Sequence, residues 1–97
     1  MRAGYVYIMA NWKNGTLYIG STSDLGARVA EHKDAANDKS FTARYGLNRL
    51  VYFEFYEDIG EAIAREKALK RYKRSWKIEL IEADNPEWWD IPLTYND

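Results

Sequence analysis

The sequence of 97 residues contains no cysteine, so disulfides, thiolate metal sites and a cysteine nucleophile are excluded. It has no apolar run long enough to span a membrane. The N-terminal residues show no apolar core followed by a small-residue cleavage site, as a signal peptide would. We therefore expect a cytoplasmic protein. The sequence also lacks an excess of charge: its net charge of −1, taken alone, argues against a nucleic-acid partner.

The charges are nevertheless unevenly distributed along the chain. Residues 67–77 contain six basic and no acidic residues, whereas residues 79–97 contain six acidic and no basic ones. One face could therefore carry a positive field, although a solvated helix face is the more ordinary explanation of such a run. The candidate nucleic-acid-binding residues are Lys67, Lys70, Arg71, Lys73, Arg74 and Lys77.

Length and composition predict one packed domain over residues 1–97, because 46% of the residues are hydrophobic and 15% are aromatic. Its core is expected over residues 5–84. The remaining tail, residues 85–97, contains Trp88 and Trp89, which we expect to pin it onto the core.

The pattern along the chain predicts an α+β fold, in which helices pack on a small, mostly antiparallel sheet of three strands. Strands are expected at residues 5–10, 16–20 and 50–56, and the first is apolar on both faces, as in a strand covered on both sides. Helices are expected at residues 25–33, from a cap at Asp58 to about residue 72, and at residues 76–83 after a cap at Ser75. A polar loop is expected over residues 34–40. The order of elements is β-β-α-β-α-α.

The first two strands should form a hairpin that brings two tyrosines together. A four-residue turn over residues 12–15, which ends in Asn-Gly, places Met9 opposite Tyr18. Tyr7 then lies diagonally across from Tyr18 on the same face, about 7 Å away. Tyrosines in strands often do no more than pack against each other, and this remains the simpler explanation.

Each of the first two helices carries polar residues beside its apolar stripe. In the first, Arg28 and His32 are neighbours at the edge of the stripe, where they could equally reach solvent. In the second, Glu66 falls inside the stripe that contains Ala62 and Leu69, although an unpaired buried carboxylate is costly. A hydrated Mg²⁺ or a structural Glu–Arg pair would satisfy it, and both alternatives stay open.

Together these residues resemble those of the GIY-YIG nuclease family, and in particular those of its small stand-alone bacterial members. Residues 5–7 (YVY) and 18–20 (YIG) resemble its paired motifs, and Arg28 and His32 continue the pattern. Residues 62–70, with Arg65-Glu66, resemble its helix that carries a metal-ligand glutamate. Each motif alone is weak, but the ordered set is specific.

The resemblance implies an endonuclease that hydrolyses DNA phosphodiester bonds and uses Mg²⁺ or Mn²⁺. Tyr7 and Tyr18 would lie beside the scissile phosphate, where one of them helps to activate the attacking water. Arg28 would contact the phosphate, His32 would hydrogen-bond a motif tyrosine, and Glu66 would hold the metal. The expected products carry a 5′-phosphate and a 3′-hydroxyl.

Several departures from the family pattern leave alternatives open. Tyr5 replaces a glycine and could crowd the site or stack on a base, while Ser21 stands where repair members carry a lysine. The resemblance also implies a role for Gly20, the last residue of the second motif, which is expected to let the chain turn from strand to helix. Asn85 is a further candidate site residue. A nucleic-acid-binding module without useful turnover is therefore an alternative function. A protein-interaction domain is a further alternative, suggested by the tail with its two tryptophans and by the net charge near zero.

Overall fold

The computed structural model of the protein describes residues 2–34 and 46–93. Within them the elements are β1 (Gly4–Ala10), β2 (Leu17–Thr22), α1 (Leu25–Asp34), β3 (Arg49–Tyr56), α2 (Ile59–Arg71) and α3 (Arg74–Asp84). The predicted order and fold class are confirmed. Of the predicted polar loop, Asp34 belongs to α1 and the other residues lie outside the described ones. None of the helices in the described part of the chain is long and apolar enough to cross a membrane.

The hairpin turn sets the register of the sheet. The backbone N–H of Gly15 donates to the carbonyl of Trp12 at 3.0 Å, and Asn14 adopts the left-handed conformation that such a turn needs, with φ 61°. Met9 lies opposite Tyr18, as predicted. The sheet is antiparallel with the strand order β2-β1-β3, so β1 is central and β2 lies at an edge.

Side chains of β1 alternate between two apolar layers, which explains why the strand is apolar on both faces. Val6 and Ile8 pack in a core with Leu69 of α2 and Ile81 of α3. Tyr7 and Met9 face the opposite way, into a second core that includes Leu25 and Val29 of α1. The sheet is therefore a central layer with α1 on one face and α2 and α3 on the other.

The boundaries of the last helix and the tail differ from the sequence-based expectation. The N-cap of α3 is Lys73, without a side-chain cap, so the predicted cap at Ser75 is wrong and Ser75 lies inside the helix. The cap at Asp58 is confirmed, because its side chain accepts from the Gly60 N–H at 2.9 Å. In the tail, Trp88 is fully buried but Trp89 is 71% exposed, so only the first tryptophan pins the tail.

Candidate active site

A buried tyrosine and the single histidine of the sequence form the centre of the candidate site. The Tyr7 hydroxyl and His32 Nε2 are hydrogen-bonded at 2.9 Å, and both residues are buried. The Tyr18 ring lies beside them, with its centroid 5.0 Å from that of His32 and 6.3 Å from that of Tyr7. The structure therefore brings the two predicted tyrosines and the histidine together between the hairpin and α1.

Gly20 makes room for the Tyr7 ring. A Cβ atom at Gly20 would lie 2.6 Å from the Tyr7 hydroxyl oxygen and 2.8 Å from Cζ. Gly20 is inside β2, which continues to Thr22, and its φ is not positive, so the expected strand-to-helix turn at this residue is wrong. Its function is steric: only a residue without a side chain lets the phenol lie across the edge strand at this point.

The environment keeps both hydrogen-bonded groups uncharged at neutral pH. Burial, and then the neighbouring Tyr18, raise the pKa of Tyr7, although the positive charge of Arg28 opposes them. Burial lowers the pKa of His32, and Arg28 lowers it further. The phenol therefore keeps its proton, and the neutral imidazole has one ring nitrogen whose lone pair can accept a hydrogen bond or a proton.

Arg28 projects from the exposed side of α1, and its side chain is 46% exposed. Its Nε is 3.4 Å from Glu31 Oε1, an exposed contact between neighbouring turns of the helix. The charge of Arg28 acts on both Tyr7 and His32. The guanidinium is therefore close to the buried pair and yet accessible to a ligand from solvent.

Glu66 reaches the same edge of the sheet from the opposite face. Ser21 of β2 donates a hydrogen bond to Glu66 Oε1, and Lys70 Nζ lies 2.6 Å from Oε2. Burial raises the pKa of Glu66, but the hydrogen bonds from Lys70 and Ser21 outweigh it and leave the pKa below its ordinary value. The carboxylate is thus ionised at neutral pH, and its charge contributes to the raised pKa of Tyr7. Ser21, a candidate from the sequence, positions this carboxylate.

The donor set determines which metal the residues could hold. Among residues 2–34 and 46–93 there is no group of three or more His, Asp or Glu side chains arranged to bind an ion. A single carboxylate beside hydroxyl groups still fits Mg²⁺ or Mn²⁺, since such ions keep several waters and share substrate phosphate oxygens. Glu66 would hold the ion, although its carboxylate is paired with the Lys70 ammonium in this structure.

The six basic residues lie at the end of α2 and the start of α3. Five are exposed, and Lys77 is half-buried. Besides Lys70, which pairs with Glu66, two of them have structural contacts. Arg74 donates to the carbonyls of Asn14 and Gly15, at 2.8 and 2.6 Å, and the Lys73 ammonium lies 4.9 Å from the Trp76 ring centroid. Arg74 thus attaches the start of α3 to the hairpin turn and stabilises the fold.

Asn85, which the sequence suggested as a site residue, lies in the tail and binds backbone groups there. Its Nδ2 donates to the carbonyls of Val51, at 3.2 Å, and Trp89, at 2.8 Å, and its Oδ1 accepts from the Trp89 N–H at 3.0 Å. These bonds hold the tail against β3. They do not support a role for Asn85 in the site.

A structural Glu–Arg pair exists, but it involves Glu54 and Arg65 rather than Glu66. Arg65 Nε and Nη2 donate to the two carboxylate oxygens of Glu54 at 3.0 and 3.1 Å, and Tyr56 adds a third bond at 2.7 Å. Burial raises the pKa of Glu54, but these bonds and one from Tyr52 outweigh it, so the pKa lies below its ordinary value. The network anchors α2 to β3 one residue before Glu66. In the sequence, this network could have been found from Glu54, the one carboxylate in an otherwise apolar and aromatic strand.

Comparisons with known proteins identify the family of the chain. The family model described as the GIY-YIG catalytic domain matches residues 3–79. A UPF0213 protein of Clostridium perfringens is 39% identical over 79 residues, which cover 81% of this chain and 83% of that protein. A UPF0213 protein of Staphylococcus aureus is 38% identical over 84% of this chain and 98% of its own.

A solved structure also resembles the chain. The solution NMR structure of a UPF0213 protein from Bacillus halodurans superposes with a TM-score of 0.53 and 30% identity, covering 86% of each chain. The family match spans the hairpin, α1 and α2, which together carry every residue of the candidate active site. The chain therefore belongs to the family of proteins with a GIY-YIG catalytic domain.

Proposed function

We propose that the protein is an endonuclease that hydrolyses phosphodiester bonds in DNA at the cluster of Tyr7, Tyr18, Arg28, His32 and Glu66. The observation that carries the proposal is the buried Tyr7–His32 hydrogen bond with two opposite charges, Arg28 and Glu66, acting on the same phenol. Membership of a family named for a catalytic domain supports it.

The uncharged pair suggests a path for the proton of the attacking water. As water adds to phosphorus, it would pass a proton to the Tyr7 oxygen, while the Tyr7 proton moves to His32 Nε2. This requires a neutral imidazole with its own proton on Nδ1, and the lowered pKa of His32 keeps the ring neutral at pH 7. The bond between phosphorus and the 3′ oxygen breaks, and that oxygen takes up a proton from solvent water, while His32 returns its extra proton to the solvent. The products would then carry a 5′-phosphate and a 3′-hydroxyl.

The remaining residues supply charge and position. Arg28 would bind the phosphoryl oxygens, which its planar fork matches. Tyr18, packed beside His32, would contact the phosphate or the water. Glu66 would hold Mg²⁺ or Mn²⁺, which stabilises the charge that develops on the phosphate oxygens.

A cleavage assay with matched glutamate variants tests the proposal. Plasmid and branched DNA are incubated with native protein, Glu66→Gln and Glu61→Gln in Mg²⁺ and in Mn²⁺. Glu61 is an exposed residue in the first turn of the same helix and is the control. We expect Glu66→Gln to lose at least about a hundredfold in rate, the typical loss of one charge-stabilising group, while Glu61→Gln cuts like the native protein. Equal cleavage by all three would refute the assignment of Glu66.

The Lys70–Glu66 contact favours a second candidate function, a DNA-binding module without turnover. The ammonium at 2.6 Å already neutralises the carboxylate that would bind the metal. In that case the basic stretch alone would give salt-sensitive binding. A gel-shift titration over a range of salt concentrations distinguishes the two functions: binding without cleavage in any metal supports the module and refutes the nuclease.

A further inference from the structure

A cavity of about 220 Å³ opens at the start of α1, on the face of the sheet that also carries Tyr7. Its aromatic and aliphatic walls come from Tyr5, Phe53, Leu25 and Leu93, and Ser23, Asp24 and Gly26 line the rest, so polar and apolar surface are nearly balanced. Asp24, which precedes α1, stands at its polar side. A cleft with apolar walls and a few polar groups is the usual form of a small-ligand site.

Tyr5 links this cavity to the proposed reaction centre. It lies two residues before Tyr7 on the same face of β1, which corresponds to roughly 6.7 Å along the strand. Its ring packs edge-on against Phe53 and Phe55, with centroids 6.1 and 5.3 Å away. Tyr5 is therefore held towards β3.

The chemistry of the cavity selects a flat, uncharged ring over a phosphate. The aromatic and aliphatic walls favour stacking, which every nucleobase allows. The carboxylate of Asp24 repels phosphate, but it accepts hydrogen bonds from amino groups such as that of cytosine. Its Oδ1 already caps α1 by accepting from the Ala27 N–H at 3.1 Å, and a carboxylate has further lone pairs to offer.

We propose that this cavity binds one unstacked nucleobase, that of a nucleotide next to the phosphate placed at Tyr7. The proposal rests on the proposed function and narrows its substrate class to DNA with an unpaired base near the cut: single strands, flaps or damaged duplexes. Fully paired duplex DNA is a poorer substrate, because unstacking a base costs energy before it can enter the cavity.

A series of abasic substrates tests the proposal on the native protein. Single-stranded and flap oligonucleotides each lack one base, at successive positions around the cut or binding site. Cleavage rates are measured in Mg²⁺ or Mn²⁺, and affinities without metal. We expect one position at which loss of the base weakens cleavage or binding at least about fivefold, the lower limit for one base stacked on an aromatic side chain.

Variants then locate the effect. Tyr5→Leu keeps an apolar side chain without a ring and should abolish the dependence on that position. Trp89→Leu removes an exposed aromatic side chain outside the cavity, so it should leave the dependence unchanged. Thermal unfolding of each variant shows that it is folded.

The outcomes separate this proposal from the function it rests on. Equal effects at all positions, or a position dependence that survives Tyr5→Leu, would overturn the nucleobase site while leaving the nuclease intact. Native protein that neither binds nor cuts any of the DNAs would overturn both. Binding without cleavage, together with the position dependence, would keep the nucleobase site and refute turnover.

Discussion

The close approach of Gly20 to the Tyr7 ring makes Gly20→Ala the most informative single substitution. The new methyl group would lie 2.6, 2.8 and 3.0 Å from the Tyr7 hydroxyl oxygen, Cζ and Cε1, whereas ordinary contacts begin at 3.4 Å. The ring must therefore retreat by several tenths of an ångström. It is buried and hydrogen-bonded to His32, so the retreat strains the core and lengthens that bond.

We expect Gly20→Ala to lower the free energy of unfolding by about 1–3 kcal/mol, the usual range for an overpacked core. Urea unfolding followed by tryptophan fluorescence measures the loss. Gly60→Ala is the control, because its Cβ would meet Asp58 at 3.4 Å, an ordinary distance, on an exposed helix position. It should be neutral or stabilise by up to about 1 kcal/mol.

A double-mutant cycle identifies the cause of the loss. Tyr7→Leu removes the hydroxyl oxygen and the two ring atoms that the new methyl group would contact. In that background Gly20→Ala should have little effect on the free energy of unfolding. The reasoning would be refuted if the substitution changed stability by less than about 0.5 kcal/mol in the native background, or equally in both backgrounds.

Three further predictions concern stability. Folding lowers the pKa of His32, the only histidine, below its ordinary value of 6.5, so the unfolded chain binds a proton more readily than the folded one. The free energy of unfolding should therefore fall as the pH drops below 6.5, and it should fall less steeply in His32→Gln. Arg65→Met leaves the half-buried Glu54 without its ion pair and should lower the free energy of unfolding in urea by about 1.5–3 kcal/mol. A change below about 0.5 kcal/mol would contradict the claim that this pair stabilises the fold. Trp88→Ala should cost about 3–5 kcal/mol, whereas Trp89→Ala should stay within about 0.5, and equal losses would contradict their burial.

Local signals in the sequence were enough to predict the β1–β2 hairpin and the part of the candidate site formed by Tyr7, Tyr18 and His32. The Asn-Gly turn fixes the hairpin, and strict alternation then fixes which faces Met9, Tyr7 and Tyr18 share. Helical spacing likewise placed His32 at the edge of the apolar stripe. These features depend on neighbours within about 15 residues, so no knowledge of distant packing was needed.

The other part of the site depends on contacts between distant segments. Ser21 of β2 and Glu66 of α2 are 45 residues apart. Their hydrogen bond forms only when α2 packs on the sheet beside β2. The Glu54–Arg65 pair and the opposite fates of Trp88 and Trp89 arise in the same way. Trp88 adopts φ 59°, a conformation rare outside glycine, and it is held there by burial and a bond of 2.7 Å from Nε1 to Glu82. Composition alone cannot distinguish two adjacent tryptophans.

The most direct test of the central claim is anomalous diffraction from crystals of the protein soaked in Mn²⁺. The proposal predicts one peak about 2.1 Å from a Glu66 carboxylate oxygen, on the side facing Tyr7 and Arg28, with the Lys70 ammonium displaced. Clear density for the side chains without a peak at Glu66, and with Lys70 still paired to it, would contradict the claim that these residues form a metal-dependent active site.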